Sequence, residues 1–141
     1  MKISVEPDYA IRIVMYLFEK QEYIFGNKIV AYCEIPERMG MKILTKLANK
    51  NILKSIKGKK GGFKISEDKL KISLYDIIKI FDDFDLNKCL SANKKCLYQK
   101  GECVVCEALK KVKREIIMNF SQIFIVDLWR KQKSIKEIWE D

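Results

Sequence analysis

The chain contains no histidine among its 141 residues. Histidine is the side chain that most often moves protons near neutral pH, and no credible nucleophile–base pair replaces it, so an enzyme is the least expected class of protein. Long apolar runs are also missing, because none approaches the roughly 20 residues of a membrane-spanning helix. The N-terminus lacks the charged-then-apolar order of a signal peptide. We therefore expect a cytoplasmic protein without a membrane span.

Acidic residues are nearly absent from residues 36–66. That stretch has one acid, Glu37, against nine basic residues, so its net charge of +8 accounts for nearly all of the chain's +9. A concentrated positive surface is typical of a protein that binds a polyanion, because basic side chains that contact phosphates release counterions. A run of charge can equally be a solvated surface, so the charge alone does not establish a nucleic-acid partner.

The apolar spacing before and within this stretch predicts a helix-turn-helix. An amphipathic helix follows Pro7, a short helix covers residues 28–33, and a third helix runs from Pro36 to about Lys50. Four basic residues of the third helix form one stripe, which we call the basic stripe: Arg38, Lys42, Lys46 and Lys50. Its apolar side is predicted to contain Met39, Ile43, Leu44 and Leu47. Gly40 would weaken the helix by ~1 kcal/mol relative to alanine.

A glycine- and lysine-rich segment, residues 57–62, separates two short apolar runs. Because glycine permits the positive backbone angles of tight turns, this pattern predicts a β-hairpin. A helix-turn-helix followed by a basic hairpin is a winged helix, so we expect a mainly α fold with a small β-hairpin wing. The segment is not interpreted as a nucleotide site, because the Walker pattern is absent and no helix follows it.

The winged-helix interpretation assigns DNA contacts to six basic residues. Arg38, Lys42 and Lys46 would enter the major groove, with Arg38 the best candidate for a base contact. The hairpin tip carries three lysines that would contact phosphates or the minor groove, and we call them the wing lysines: Lys57, Lys59 and Lys60.

The second half of the chain begins with a capping-box-like pattern at Ser73 and Asp76 and continues as a helix. From Cys106 to about Arg130 the apolar spacing predicts one long helix, on the order of 35 Å, which exceeds what a small core can cover. Such a helix indicates dimerisation; packing on the first helix of the same chain is the alternative, and both can hold. The predicted organisation is a winged helix-turn-helix DNA-binding domain over 1–85, a cysteine-rich segment over 86–106, and a dimerisation helix with a C-terminal tail over 107–141.

Four of the five cysteines lie within eighteen residues: Cys89, Cys96, Cys103 and Cys106. In a reducing compartment they indicate metal ligands or redox thiols rather than disulfides. Thiolates suit iron–sulfur clusters, zinc or copper(I), and four of them can fill the ligand positions of a cluster. Structural zinc usually takes two Cys-x-x-Cys pairs and only one is present, yet spacing alone leaves zinc and a cluster both open. Cys33 stands apart and is expected in the core.

The chain resembles the Rrf2 family of bacterial winged-helix transcriptional regulators, which includes IscR, NsrR and CymR. The resemblance covers nearly the whole chain and depends on the three spaced cysteines and on five segments: Asp8–Arg12, Ile35–Arg38, Lys42–Leu47, Ser55–Phe63 and Ile72–Ile78. Two positions depart from the family, because Gly40 and Asn51 stand where an apolar residue and a glycine are more common.

The resemblance implies a homodimer that binds double-stranded DNA at a palindromic operator. It also implies a [2Fe–2S] or [4Fe–4S] cluster held by Cys89, Cys96 and Cys103. In IscR-like members the fourth ligand is a histidine, at the position of Cys106 in this chain. In NsrR-like members it is an aspartate of the partner subunit, which Asp8 matches. Both candidates remain, and we favour Cys106.

The sequence therefore predicts a dimeric DNA-binding repressor that senses redox state, nitric oxide or iron–sulfur status through a cysteine-ligated cluster. The alternative keeps the DNA-binding regulator and replaces the cluster with a zinc site or a thiol redox switch. A small iron–sulfur electron carrier is a more distant alternative, and the basic stripe and the wing lysines argue against it.

Overall fold

Helices and one β-hairpin make up the part of the chain that the computed structural model describes, residues 2–86 and 103–139. The elements, in chain order, are α1 (Val5–Lys20), α2 (Gly26–Tyr32), α3 (Glu37–Asn49), β1 (Leu53–Ile56), β2 (Gly62–Ile65), a 3-10 turn (Glu67–Lys69), α4 (Leu74–Phe81), α5 (Val104–Ser121) and α6 (Ile125–Trp139). This order confirms the predicted mainly α fold with a β-hairpin wing.

The first helix, α1, lies at the centre of the core. Its inward positions are fully buried: Ala10, Ile13, Val14 and Leu17. The helix contacts α3, α4, α6 and β2. It begins at Val5, two residues before Pro7, the predicted first helical position. Proline is tolerated there because the first N–H groups of a helix have no partner within it.

Helices α2 and α3 pack closely at Gly40. A Cβ atom at this position would overlap Cγ1 of Val30 and lie 3.0 Å from its Cβ. The buried side of α3 consists of Gly40, Ile43, Leu44 and Leu47. The prediction that Met39 points inward is wrong, because Met39 is 37% exposed and Gly40 faces α2 instead. The glycine that lowers helix propensity is therefore the residue that lets the two helices approach.

The wing is an antiparallel pair in which Leu53 lies opposite Ile65 and Ile56 opposite Gly62. The outer edge of β2 also pairs with the segment between α1 and α2, since the N–H of Phe63 donates to the carbonyl of Ile24 at 2.8 Å. Gly62 has a φ of +129°, and a Cβ there would overlap the Ile24 carbonyl oxygen. Only glycine fits both conditions, so Gly62 joins the base of the wing to the body of the domain.

A capping box starts α4, as the sequence predicts. Ser73 Oγ accepts a hydrogen bond from the Asp76 N–H at 3.1 Å, and Asp76 Oδ2 accepts one from the Ser73 N–H at 3.0 Å. Burial of the Asp76 carboxyl opposes ionisation, but hydrogen bonds from Lys79 and Ser73 outweigh it and hold the pKa of Asp76 below its ordinary value.

The long C-terminal helix is divided into α5 and α6, so the prediction of one uninterrupted helix from Cys106 to Arg130 is wrong. Between the two helices, the carbonyl of Ile123 accepts a hydrogen bond from the Leu74 N–H, and the Ile125 N–H donates to the Ile72 carbonyl, both at 2.8 Å. This backbone pairing with the start of α4 interrupts the helix.

The two C-terminal helices pack differently. Helix α5 contacts α4, whereas α6 returns to α1, where Trp129 stacks on Phe18 with ring centroids 6.4 Å apart. Ile125, at the start of α6, is fully buried. The alternative of packing on the first helix of the same chain therefore holds for α6. Within the described residues, no helix combines the length and hydropathy needed to cross a membrane.

Candidate DNA-binding surface and cysteine site

The basic stripe of α3 does not face solvent along its whole length. Four residues of an α-helix turn through about 400°, so a row spaced by four drifts by roughly 40° at each step. Arg38 is exposed, and Lys42 is 65% exposed with its Nζ 3.8 Å from Glu6 Oε1. Lys46 is half-buried, and its Nζ lies 5.3 Å from the ring centroid of Phe81 on α4. The predicted groove contact of Lys46 stays a prediction.

The outward side of α3 includes residues that the basic stripe does not contain. Opposite the buried side, the exposed positions are Arg38, Lys42, Thr45 and Asn49. Thr45 Oγ1 donates a hydrogen bond to the Met41 carbonyl at 2.9 Å. Sequence reasoning missed Thr45 because it followed charge at intervals of four; counting 100° per residue from the apolar side would have found it.

The wing lysines extend from the hairpin tip and are all exposed. Among the described residues, neither they nor Arg38 forms an ion pair. No described residue therefore compensates their charges, and together with Lys42 they form a positive surface from α3 to the wing. Such a surface attracts phosphates at long range and can hold them at short range.

Two of the four clustered cysteines lie at the start of α5. Cys103 is the N-cap and Cys106 lies within the first turn; both are partly exposed and unpaired. Their soft donor atoms and the positive helix end suit a metal ligated by thiolates. Cys89 and Cys96 lie outside the described residues. The described ranges contain no group of three or more Cys, Asp or Glu residues that could hold a metal ion.

Asp8, the other candidate ligand, already has a partner. Its Oδ2 lies 3.0 Å from Nη2 of Arg12, one turn further along α1. Arg12 also donates through Nη1 to the carbonyl oxygen of Cys33 at 3.0 Å. The carboxylate therefore belongs to a chain of hydrogen bonds that joins α1 to the end of α2.

Cys33 is a core residue, as expected. It is 4% exposed, and its Sγ lies 3.9 Å from the backbone oxygen of Arg12. Burial raises the pKa of the Cys33 thiol to about 11, although nearby Arg12 acts in the opposite direction. At neutral pH the group is a thiol rather than a thiolate, so it does not suit metal binding or nucleophilic chemistry.

The chain entering the cysteine-rich segment is anchored to α5. Phe84 is buried, and its ring centroid lies 5.5 Å from that of Phe120. The next residue, Asp85, places Oδ1 2.8 Å from Nζ of Lys113. Both groups of this ion pair are about one-quarter exposed, so water screens it less than a surface pair. Residues just before the segment are thus joined to the helix that begins near its end.

The winged helix and its uncompensated basic surface define a DNA-binding regulator. The sequence model of the Rrf2 family, described as "Iron-dependent Transcriptional regulator", matches residues 3–131. The chain therefore belongs to the Rrf2 family. Because this is a family of transcriptional regulators, the expectation that the protein is not an enzyme is confirmed.

Known relatives agree with this assignment. The HTH-type transcriptional regulator NsrR of Bacillus subtilis (strain 168) is 22% identical in an alignment 141 positions long, which covers 98% of this chain and 97% of NsrR. The structure of IscR from T. potens matches with a TM-score of 0.73 at 18% identity, over 94% of this chain and 88% of IscR. The structure of CymR, the global cysteine regulator of B. subtilis, matches with a TM-score of 0.69 at 20% identity, over 93% of this chain and 98% of CymR. These structures share the winged-helix fold.

Proposed function

We propose that the protein is a homodimeric repressor that binds a palindromic operator and carries an iron–sulfur cluster whose state controls DNA affinity. The observation that carries the sensing half is the pair of free, partly exposed thiols of Cys103 and Cys106 at the start of α5. The uncompensated positive surface on α3 and the wing supports the DNA-binding half.

Arg38 and the wing lysines have different roles in this proposal. Arg38 lies near the N-terminus of α3, the part of a recognition helix that contacts base edges, and its guanidinium can donate two hydrogen bonds to guanine. The wing lysines bind phosphates or line the minor groove, so they supply affinity without choosing a sequence. Lys42 and Lys46 add positive charge beside the groove once DNA replaces their present neighbours, Glu6 and Phe81.

Helix α5 supports the homodimer. None of its 18 residues is fully buried, although much of one side is apolar. Val105 and Val112 are 60% and 44% exposed, and Ala108 lies between them on the same side of the helix. This apolar side adjoins the one that contacts α4. In a two-fold symmetric dimer, α5 of the second subunit covers this apolar side. The dimer would then present two recognition helices to a palindromic operator.

Cysteine chemistry favours Cys103 and Cys106 as ligands, together with Cys89 and Cys96. A bound cluster would supply a centre that reacts with oxidants and nitric oxide and depends on iron supply. Cys106 is favoured over the partner subunit's Asp8 as the fourth ligand, because its thiolate is a softer donor and Oδ2 of Asp8 already accepts a hydrogen bond from Arg12. Zinc or a thiol redox switch at the same cysteines is the alternative.

The contacts beside the cysteine-rich segment suggest how the site acts on DNA. Phe84 and Asp85 contact α5 through Phe120 and Lys113, and the ring of Phe84 also lies 6.4 Å from that of Tyr75 on α4. A change at the cysteines would therefore bear on both α4 and α5. Helix α4 in turn touches α3, because Lys46 lies over Phe81. In the proposed dimer, a shift of α5 changes the spacing of the two recognition helices.

The test is metal analysis of anaerobically purified protein. We expect coloured protein with iron and sulfide in cluster ratio, and loss of both in Cys89→Ala, Cys96→Ala and Cys103→Ala. Cys33→Ala is the matched control and should keep its iron, because Cys33 lies in the core. Loss of iron in Cys106→Ala but not in Asp8→Ala would support the favoured fourth ligand; the reverse would overturn it. Colourless protein with one zinc per chain would contradict the cluster.

A further inference from the structure

We propose that Thr45 is a specificity-determining residue, whose methyl group contacts the C5-methyl of a thymine in the major groove. This inference rests on the proposed function, in which α3 enters that groove. It goes further by assigning a base identity to one position of the operator half-site.

The position of Thr45 supports this role. The buried side of α3 is centred on Gly40, Ile43, Leu44 and Leu47, and Thr45 lies on the opposite side and is exposed. It follows Arg38 by seven residues, about two helical turns, so both side chains point outward in the same direction. A helix that brings Arg38 to base edges therefore brings Thr45 to base edges as well.

The hydroxyl group of Thr45 is committed to its own helix. Oγ1 donates its single proton to the Met41 carbonyl at 2.9 Å, so it has no donor left for a base. The methyl group is then the part of the side chain that can distinguish bases by direct contact. A hydroxyl oxygen could still accept a hydrogen bond from an amino group of adenine or cytosine, and the experiment separates that outcome.

The surface beside Thr45 is apolar on one side and basic on the other. Met41, one turn before it, is 37% exposed, and Lys42, three residues before it, is 65% exposed. Apolar side chains in the major groove pair with the thymine methyl group, whereas the other bases lack a methyl group there and present polar groups that apolar contact would desolvate. Between the basic groups of Arg38 and the wing lysines, this surface fits an A·T pair with its thymine toward Thr45.

The experiment begins with selection of binding sites by the anaerobically purified protein from a random duplex library. Each thymine of a selected site is then replaced singly by deoxyuridine, which removes only the methyl group. We expect one position per half-site at which replacement weakens binding about fourfold, the effect of exposing roughly one buried methyl group. Replacement in both half-sites should weaken binding by about 15-fold.

Two variants of Thr45 assign the effect to its methyl group. Thr45→Ser keeps the hydroxyl and loses the methyl, so it should bind the thymine and deoxyuridine sites equally well. Thr45→Val keeps a methyl at that place and loses the hydroxyl, so it should still prefer thymine. Full discrimination by Thr45→Ser, or its loss in Thr45→Val alone, would overturn the inference while leaving the regulator intact. Failure of the wild type to prefer any duplex would instead overturn the proposed function.

Discussion

The contact between Gly40 and Val30 predicts the sign of a stability change, because two effects of known size oppose each other there. Replacing Gly40 with alanine gains about 1 kcal/mol of helix propensity. The new Cβ, however, would overlap Val30 Cγ1 and lie 3.0 Å from the Val30 Cβ. Val30 is 3% exposed, and overpacking a filled core costs about 1–3 kcal/mol before any movement of α2. We therefore expect Gly40→Ala to lower the free energy of unfolding, by up to ~2 kcal/mol.

A double-mutant cycle tests whether the overlap with Val30 is the cause. Val30→Ala alone leaves a small cavity and destabilises the protein. The cavity is also the space that the Cβ of alanine 40 needs, so the double variant should be more stable than the sum of the single changes allows.

Urea unfolding at one fixed protein concentration measures each free energy, since the apparent stability of the proposed dimer would depend on concentration. Asn49→Ala, on the exposed side of the same helix, is the control that changes helix propensity without changing α2–α3 packing. Gly40→Ala more stable than the wild type, with no coupling to Val30, would refute the close approach of α2 and α3.

Three further predictions concern the wing, the α4 cap and the buried thiol. Lys59→Gln should weaken binding to every DNA sequence alike and reduce the slope of log affinity against log salt by about 1. The control Lys131→Gln, on α6, should change neither the affinity nor the slope. A loss of affinity confined to one operator would contradict the phosphate role of Lys59. Ser73→Ala should cost about 1 kcal/mol by removing the capping box. Because the pKa of Asp76 lies below its ordinary value of 3.8 in the folded protein, its stabilisation is present above that value and lost as the pH falls through the lowered pKa. Urea unfolding as a function of pH should therefore show the Ser73→Ala deficit shrinking in acid, and a constant deficit would argue against the link. With a pKa of about 11, the Cys33 thiol should not react with a thiol reagent at pH 7. The native wild type and native Cys33→Ala should show equal numbers of reactive thiols, and in denaturant they should differ by one. A difference in the native state would show that Cys33 is accessible.

Short-range rules account for the parts of the fold that the sequence predicts well. The capping box at Ser73 and Asp76 involves residues three apart, and the wing follows from the glycines around its tip. The buried state of Cys33 follows from its apolar neighbours. Each of these features depends on residues close together in the chain, where spacing and residue type carry the information.

Features that depend on distant contacts were not predictable in the same way. The interruption between α5 and α6 results from backbone pairing of Ile123 and Ile125 with Ile72 and Leu74, far earlier in the chain. Apolar residues of α5 and of α6 both pack within one domain, so the helical spacing of the sequence continues across the interruption. Gly40 looked like a weakness because its partner, Val30, lies on another helix.

In the candidate site too, features set by nearby residues were predictable and those set by distant contacts were not. Exposure of Arg38 and the wing lysines followed from charge and helix geometry, whereas the contact of Lys46 with Phe81 required the position of α4. Asn51 departs from the family's glycine, and its φ of +60° explains both residues: the position is left-handed, and asparagine tolerates that conformation better than most side chains.

The backbone pairing of Ile24 with Phe63 has a mechanical consequence. The second strand of the wing, β2, is hydrogen-bonded on both edges, by β1 and by the segment that leads into α2. The base of the wing is therefore held on two sides and is not attached to the domain through β1 alone. In the proposed regulator, a signal that tilts the winged-helix unit would carry the base of the wing along with α3, and groove and phosphate contacts would then weaken together.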